Sequence, residues 1–170
     1  MAYYYDASIR GSAGRLDAVF NIENVPPAVL SSLIRDLEMS QSDVMEPNPW
    51  QTDACIGAWH YRRSIYENHR YRTSRAMIHL LVDVVSKNGN LLLNVPLPGH
   101  GRPDDDELAF LDRVAAWMAL NGEAVYDTRP WKTYGEGRTK GGGSLYGGRA
   151  ARNLWRATSG SPPREIRYTR

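Results

Sequence analysis

The sequence predicts a parallel α/β fold, and three features carry the prediction. A helix-forming segment opening at Thr73 or Ser74 and stopped by Asn88-Gly89 runs straight into the short apolar run Leu91-Leu92-Leu93-Asn94-Val95. A second helical pattern opens at Asp104 and ends at Asn121-Gly122. Upstream, Leu16–Ile22 alternates loosely and closes on Val19-Phe20-Asn21-Ile22, which suits a buried strand.

Taken in order, the chain predicts strand, helix, irregular segment, helix, strand, helix. Pro26-Pro27 sets a helix start, because proline is tolerated in a first helical turn, and Val29, Leu30, Leu33, Ile34 and Leu37 follow at helical spacing. That helix delivers Asp36 and Glu38 near its C-terminal end, where its dipole disfavours carboxylates, so they serve another purpose or the helix stops earlier. Trp50–Tyr61 has neither a helical nor a strand period, and its Trp, His, Tyr and Asp residues suit a binding surface. In the next helix Met77, Ile78, Leu81, Val82 and Val85 form the apolar face, and Leu91–Val95 reads as a fully buried strand. Pro96, Pro98, Gly99 and Gly101 make the loop after it. Asp104–Glu107 then place negative charge at the start of the last helix, which turns Leu108, Leu111, Val114, Ala115 and Met118 inward.

Composition adds exclusions. The 170 residues, 42% hydrophobic, suffice for one core, and a net charge of +2 without clustered base gives no reason to expect a nucleic-acid partner. Cys55 is the only cysteine, so an intrachain disulfide and a multi-thiolate metal site are excluded; a buried thiol is the reading. His60 and Cys55 lack a third ligand at suitable spacing, so neither a metal nor a cofactor is expected. The start, Met1-Ala2-Tyr3-Tyr4-Tyr5-Asp6, does not read as a secretory signal, and Asp83, Ser86 and Lys87 interrupt the longest apolar run, so no membrane span is expected. Beyond Gly135 the Gly141–Gly148 glycines carry no phosphate-loop pattern and read as linker; the arginines there, with Trp155 and Tyr168, leave a nucleic-acid tail as the lesser alternative.

Several phrases together resemble the α-L-fucosidases of glycoside hydrolase family twenty-nine. Pro49-Trp50-Gln51-Thr52-Asp53 with Trp59-His60-Tyr61, the run Leu80–Val95 ending Gly89-Asn90-Leu91-Leu92-Leu93-Asn94, and Asn121–Trp131 occur in that family's order over roughly Leu16 to Gly137. The resemblance implies the second half of a (β/α)₈-like (TIM) barrel over residues 1–134, with active-site groups at the C-terminal ends of strands. It implies a linker over 135–163 and, over 164–170, the start of a truncated C-terminal β-sandwich domain. It also implies a fucoside or fucosylated glycan as substrate, with the missing barrel half or self-association as a further partner. Its members are commonly secreted, periplasmic or lysosomal; the chain itself gives no compartment.

A retaining glycosidase needs two carboxyl groups about 5–5.5 Å apart, a nucleophile and a general acid whose pKa is raised by burial or nearby negative charge. The family's nucleophile is an aspartate in a phrase like Phe-Asp-Gly; Tyr5-Asp6-Ala7 is the nearest imitation, and Asp6 lacks the preceding strand and following glycine. The expectation is therefore that the nucleophile lies before Met1 and that the isolated chain is inactive. The acid/base candidate is Glu38, where the resemblance places a glutamate, although Met39-Ser40 stands where relatives have Arg-Gly; Glu46 is the second candidate. The family's glutamate after tryptophan is Gln51 here, and an amide supplies no acid proton. Trp59 and Tyr61 stack on fucose or pack in the core, and His60 hydrogen-bonds a hydroxyl. A non-catalytic carbohydrate-binding remnant and a truncated gene product are the alternatives.

Overall fold

The computed structural model describes residues 1–24, 26–136, 143–144 and 166–170. In chain order the elements are helix α1 (Ala2–Gly11), strand β1 (Asn21–Ile22), a 3-10 turn (Pro27–Ser32), β2 (Ile34–Leu37), β3 (Ser40–Gln41), β4 (Trp50–Cys55), the short helix α2 (Arg63–Glu67), α3 (Ser74–Ser86), β5 (Gly89–Asn94), α4 (Asp105–Asn121), a 3-10 turn (Gly122–Ala124), β6 (Pro130–Glu136), β7 (Gly143–Ser144) and β8 (Ile166–Thr169). β1, β2, β4 and β5 form a parallel sheet in the order β1-β2-β4-β5, so the expected α/β class with a parallel sheet is what folds.

The core lies between one face of this sheet and its helices. Met77, Leu80 and Val84, one stripe of α3, meet Trp50, Ala54 and Ile56 from β4 and the residue after it, with Phe110 of α4 closing the cluster. Trp50 is buried and its indole N–H donates to the Lys87 carbonyl at 2.9 Å. The indole leaves no room opposite: a Cβ on Gly89 would lie 2.6 Å from two of its ring carbons. α3 starts on Thr73, whose hydroxyl accepts from the Ala76 N–H, and α4 starts on a capping box between Asp104 and Glu107.

At the C-terminal end of α3 sits a buried charge network. Lys87 is fully buried, donating to Asp83 Oδ2 at 2.8 Å and to the Ser42 carbonyl at 3.0 Å, while Arg167 Nε reaches Asp83 Oδ1 at 2.9 Å. The Lys87 ammonium also lies 4.9 Å from the centre of the Tyr134 ring. Arg167 is on β8 and Tyr134 on β6, which pair antiparallel, so the network docks that pair against α3. β6 runs to Glu136 and thus crosses the expected barrel–linker boundary after residue 134. Most of the expected linker lies outside the described residues; within it β7 pairs antiparallel with β3. No described helix is long and apolar enough to cross a membrane.

Several expected elements differ. The helix read from Pro26-Pro27 is only one 3-10 turn, and Ile34–Leu37 is a strand. Flanking strands on both sides satisfy its backbone, and that pairing overrides the 3.6-residue pattern. The irregular reading of Trp50–Tyr61 also fails over its first half: β4 is a central strand with all six residues buried, so neither face was left to show a period. The strand expected over Leu16–Ile22 pairs only at Asn21–Ile22. β5 is not fully buried; Leu91 and Leu93 pack on the core while Leu92, on the other face, is 53% exposed. α4 is turned by about one residue from expectation, burying Glu107 and Phe110 and leaving Leu108 and Leu111 exposed.

Candidate active site

Alternation along β4 puts Trp50, Thr52 and Ala54 toward the helices and Gln51 and Asp53 on the opposite face. The parallel register aligns Asp36 with Gln51 and Gln51 with Asn90. These polar side chains bond across the strands: Asn21 Nδ2 donates to Gln51 Oε1 at 3.0 Å, Asn90 Nδ2 to the same oxygen at 3.4 Å, and Gln51 Nε2 to Asp36 Oδ2 at 2.7 Å. Gln51 is thus the hub of a polar layer on the sheet. Asp36 keeps its other oxygen buried without a hydrogen-bond partner. Burial holds the Asp36 carboxyl above its ordinary range, the Gln51 bond opposes this, and the Asp53 charge adds to it.

Glu38 follows the last residue of β2, at the C-terminal end of the parallel strands, and is exposed. The next residue, Met39, takes a left-handed φ of 47°, and its N–H donates to Asp53 Oδ1 at 2.7 Å. Asp53 therefore holds the turn that ends β2 beside Glu38. Glu23, directly after β1, is close enough to Glu38 to feel its charge. Partial desolvation raises the Glu23 carboxyl, and the negative charges of Glu38 and Asp36 raise it further. Sequence reading missed Glu23. The available signal was its place: Asn21-Ile22-Glu23 ends a strand as Asp36-Leu37-Glu38 does.

Glu46 lies elsewhere. It precedes β4, its N–H donates to the Lys87 carbonyl just before β5, and its carboxylate accepts from Arg35 Nη2 at 2.7 Å and Ser42 Oγ at 2.6 Å. That is the N-terminal edge of the sheet, opposite Glu38. Asp6 sits exposed on α1, away from any strand end.

Trp59 and His60 leave the C-terminal end of β4, where Asn94 Nδ2 donates to the Trp59 carbonyl at 3.2 Å. They line a cleft of about 520 Å³ together with Met39, Arg62 and Ile65. Trp59 is 39% exposed, so its indole is available to a ligand rather than packed in the core. Tyr61 does not join them: it lies half-buried near Asp104 at the start of α4, and desolvation followed by the Asp104 charge raises its pKa. Cys55 is buried, its thiol 3.6 Å from the Gly57 carbonyl. Among the described residues no group of three or more His, Cys, Asp or Glu side chains is arranged to hold a metal ion.

Carboxyl groups thus stand at the C-terminal ends of parallel strands, near a cleft lined by an exposed indole and an imidazole, an arrangement compatible with the glycosidase class. A sequence model of the α-L-fucosidases matches residues 24–123, and the chain belongs to that family. Plasma α-L-fucosidase of Rattus norvegicus is 33% identical over 89 residues, which are 51% of this chain and 19% of that protein. An α-L-fucosidase structure from Vibrio sp. strain EJY3 superposes with a TM-score of 0.60 at 30% identity, covering 75% of this chain and 22% of that one. A Thermotoga maritima α-fucosidase in complex with fucose gives 0.62 at 25%, covering 82% and 30%. The chain thus spans about a fifth of the curated relative. The resemblance read from the sequence is borne out, and the match begins one residue after Glu23.

Proposed function

We propose that this chain carries the acid/base side of a retaining α-L-fucoside hydrolase, on strands from the second half of a (β/α)₈ barrel. The observation that carries the reading is Glu38 at the C-terminal end of β2, with the Trp59–His60 cleft opening beside Met39. Glu38 is preferred to Glu46 because active-site groups of such barrels stand at the C-terminal ends of strands, whereas Glu46 is ion-paired to Arg35 at the other end. In the proposed reaction the Glu38 carboxyl gives its proton to the leaving oxygen as a nucleophilic carboxylate attacks the fucose anomeric carbon. As carboxylate, Glu38 then takes a proton from the water that frees fucose. Trp59 supplies an apolar face for the sugar ring and methyl group, and His60 a hydrogen bond to a hydroxyl. Tyr61, which is not among the residues lining the cleft, lies near Asp104 instead of touching sugar.

A retaining pair needs a nucleophilic carboxylate about 5–5.5 Å from the acid/base; Glu38 is the acid/base in this reading, and the nucleophile is a further group. The chain alone is therefore expected to hold fucose without turning over a fucoside. Saturation-transfer NMR with fucose, and galactose as control, tests this. Transfer to the fucose methyl, lost in Trp59→Ala, is the expected result; no transfer overturns the reading. Chromophore release from an aryl α-L-fucoside is expected to be absent, and turnover abolished by Glu38→Gln would show that the chain holds both carboxyl groups.

A further inference from the structure

The segment from His60 to Arg75, which links β4 to α3, is far more basic than the rest of the chain. Arg62, Arg63, Arg70, Arg72 and Arg75 stand against the single acid Glu67, a net of +4 within a chain whose total is +2. One of these cations faces the cleft. Arg62 lines it beside Trp59 and His60, and its guanidinium takes no acid partner among the described residues, while the next residue, Arg63, is neutralised by Glu67 at 2.7 Å. Met39 also lines the cleft; it is flanked by Glu38 and its N–H donates to Asp53 Oδ1.

From this arrangement we infer that the Arg62 side of the cleft is a subsite for an anionic sugar, carrying a carboxylate or a sulfate ester, in the leaving-group part of the fucoside, next to the fucose held on Trp59. The inference rests on Glu38 being the acid. An acid at Glu38 touches the glycosidic oxygen that joins fucose to its leaving group, so one of the two sugars lies along Met39 into the cleft. Fucose bears no charge and gives an unneutralised arginine nothing to pair with. A guanidinium presents a planar fork of donors that matches carboxylate and sulfate oxygens.

Titration of the intact chain with methyl glucuronide, galactose 6-sulfate, methyl galactoside and fucose, followed by NMR shifts of the Trp59 indole N–H, tests the inference. Both anionic sugars are expected to bind about tenfold more tightly than methyl galactoside at low ionic strength, with the advantage shrinking as salt is added. Arg62→Ala abolishes the advantage and Arg62→Lys retains part of it. Arg63→Ala, which removes the same formal charge one residue away, leaves it unchanged. Preference for only one of the two anionic sugars identifies the substituent and supports the inference. Equal binding of anionic and neutral sugars, or an advantage that survives Arg62→Ala, overturns it. Fucose binding with no anionic preference leaves the proposed fucosidase reading standing, whereas an Arg62-dependent anionic preference without fucose binding removes that reading and keeps the subsite.

Discussion

At the scale of single residues, Glu23 and Glu38 are charges near enough to act on one another. Glu23 follows β1 and Glu38 follows β2, and the parallel register of those strands sets Glu23 beside Asp36, two residues before Glu38. Desolvation raises the Glu23 carboxyl, and the Glu38 charge is the next cause. Replacing Glu38 by Gln removes that charge. The Glu23 titration, followed by carboxyl ¹³C shifts, is then expected to move down toward the ordinary glutamate range; an unmoved titration would show that the two groups are not coupled. A second single-residue constraint is steric. Gly89 opens β5 directly against Trp50, with a substituent held 2.6 Å from the indole and 2.7 Å from Val84. Gly89→Ala overpacks this point, and a loss of about 1–3 kcal/mol is expected in urea unfolding.

The elements show which parts of the sequence were legible and why. α3 and α4 were, because caps and stops are local chemistry: Thr73 and Asp104 start them, and both side chains accept the expected backbone N–H. β2 was not, because Val29–Leu37 has a helical spacing that only its two neighbouring strands could overrule. Glu38 was singled out by resemblance alone, whereas nothing in the local pattern sets Glu23 near it, since that depends on how β1 and β2 pair. The face of α4 was misread because its buried side starts with a charged residue. Glu107 is fully buried, accepting from the Asp104 N–H at 2.9 Å and from the Tyr71 hydroxyl at 3.2 Å. Burial raises its carboxyl above the ordinary 4.5, although both hydrogen bonds oppose the shift. A carboxyl raised by folding keeps its proton to higher pH in the native state than in the unfolded one. Its contribution is therefore fully present below the unfolded value and is lost as pH rises through the folded value. Glu107→Gln keeps an acceptor for the Asp104 N–H and never ionises. Relative to this variant, the wild-type chain is expected to lose urea stability as pH rises above the ordinary 4.5; parallel pH profiles would refute the assignment.

For the molecule as a whole, the question is what a four-stranded parallel sheet does with its open side. Among the described residues β5 is an edge strand, six residues long, and Leu92 projects 53% exposed from the face opposite the helices. Beside it runs an open trough of about 670 Å³, walled across by the segment from Val125 to Pro130. The β6–β8 pair does not cover that edge; it is tied to the end of α3 through Asp83, Lys87 and Arg167. Unpaired strand backbone beside apolar side chains is a template for another strand, and natural edges are commonly blunted by lysine or proline. β5 has neither within Gly89–Asn94. We therefore expect concentration-dependent self-association of this chain, measurable by sedimentation velocity. Leu92→Lys places a charge on the exposed position without touching Leu91 or Leu93, which face the core. The variant is expected to shift the distribution toward monomer with its unfolding midpoint little changed. A wild-type chain that stays monomeric at high concentration would show that this edge is already protected, and the proposed reading of the sheet as an open part of a barrel would fail with it.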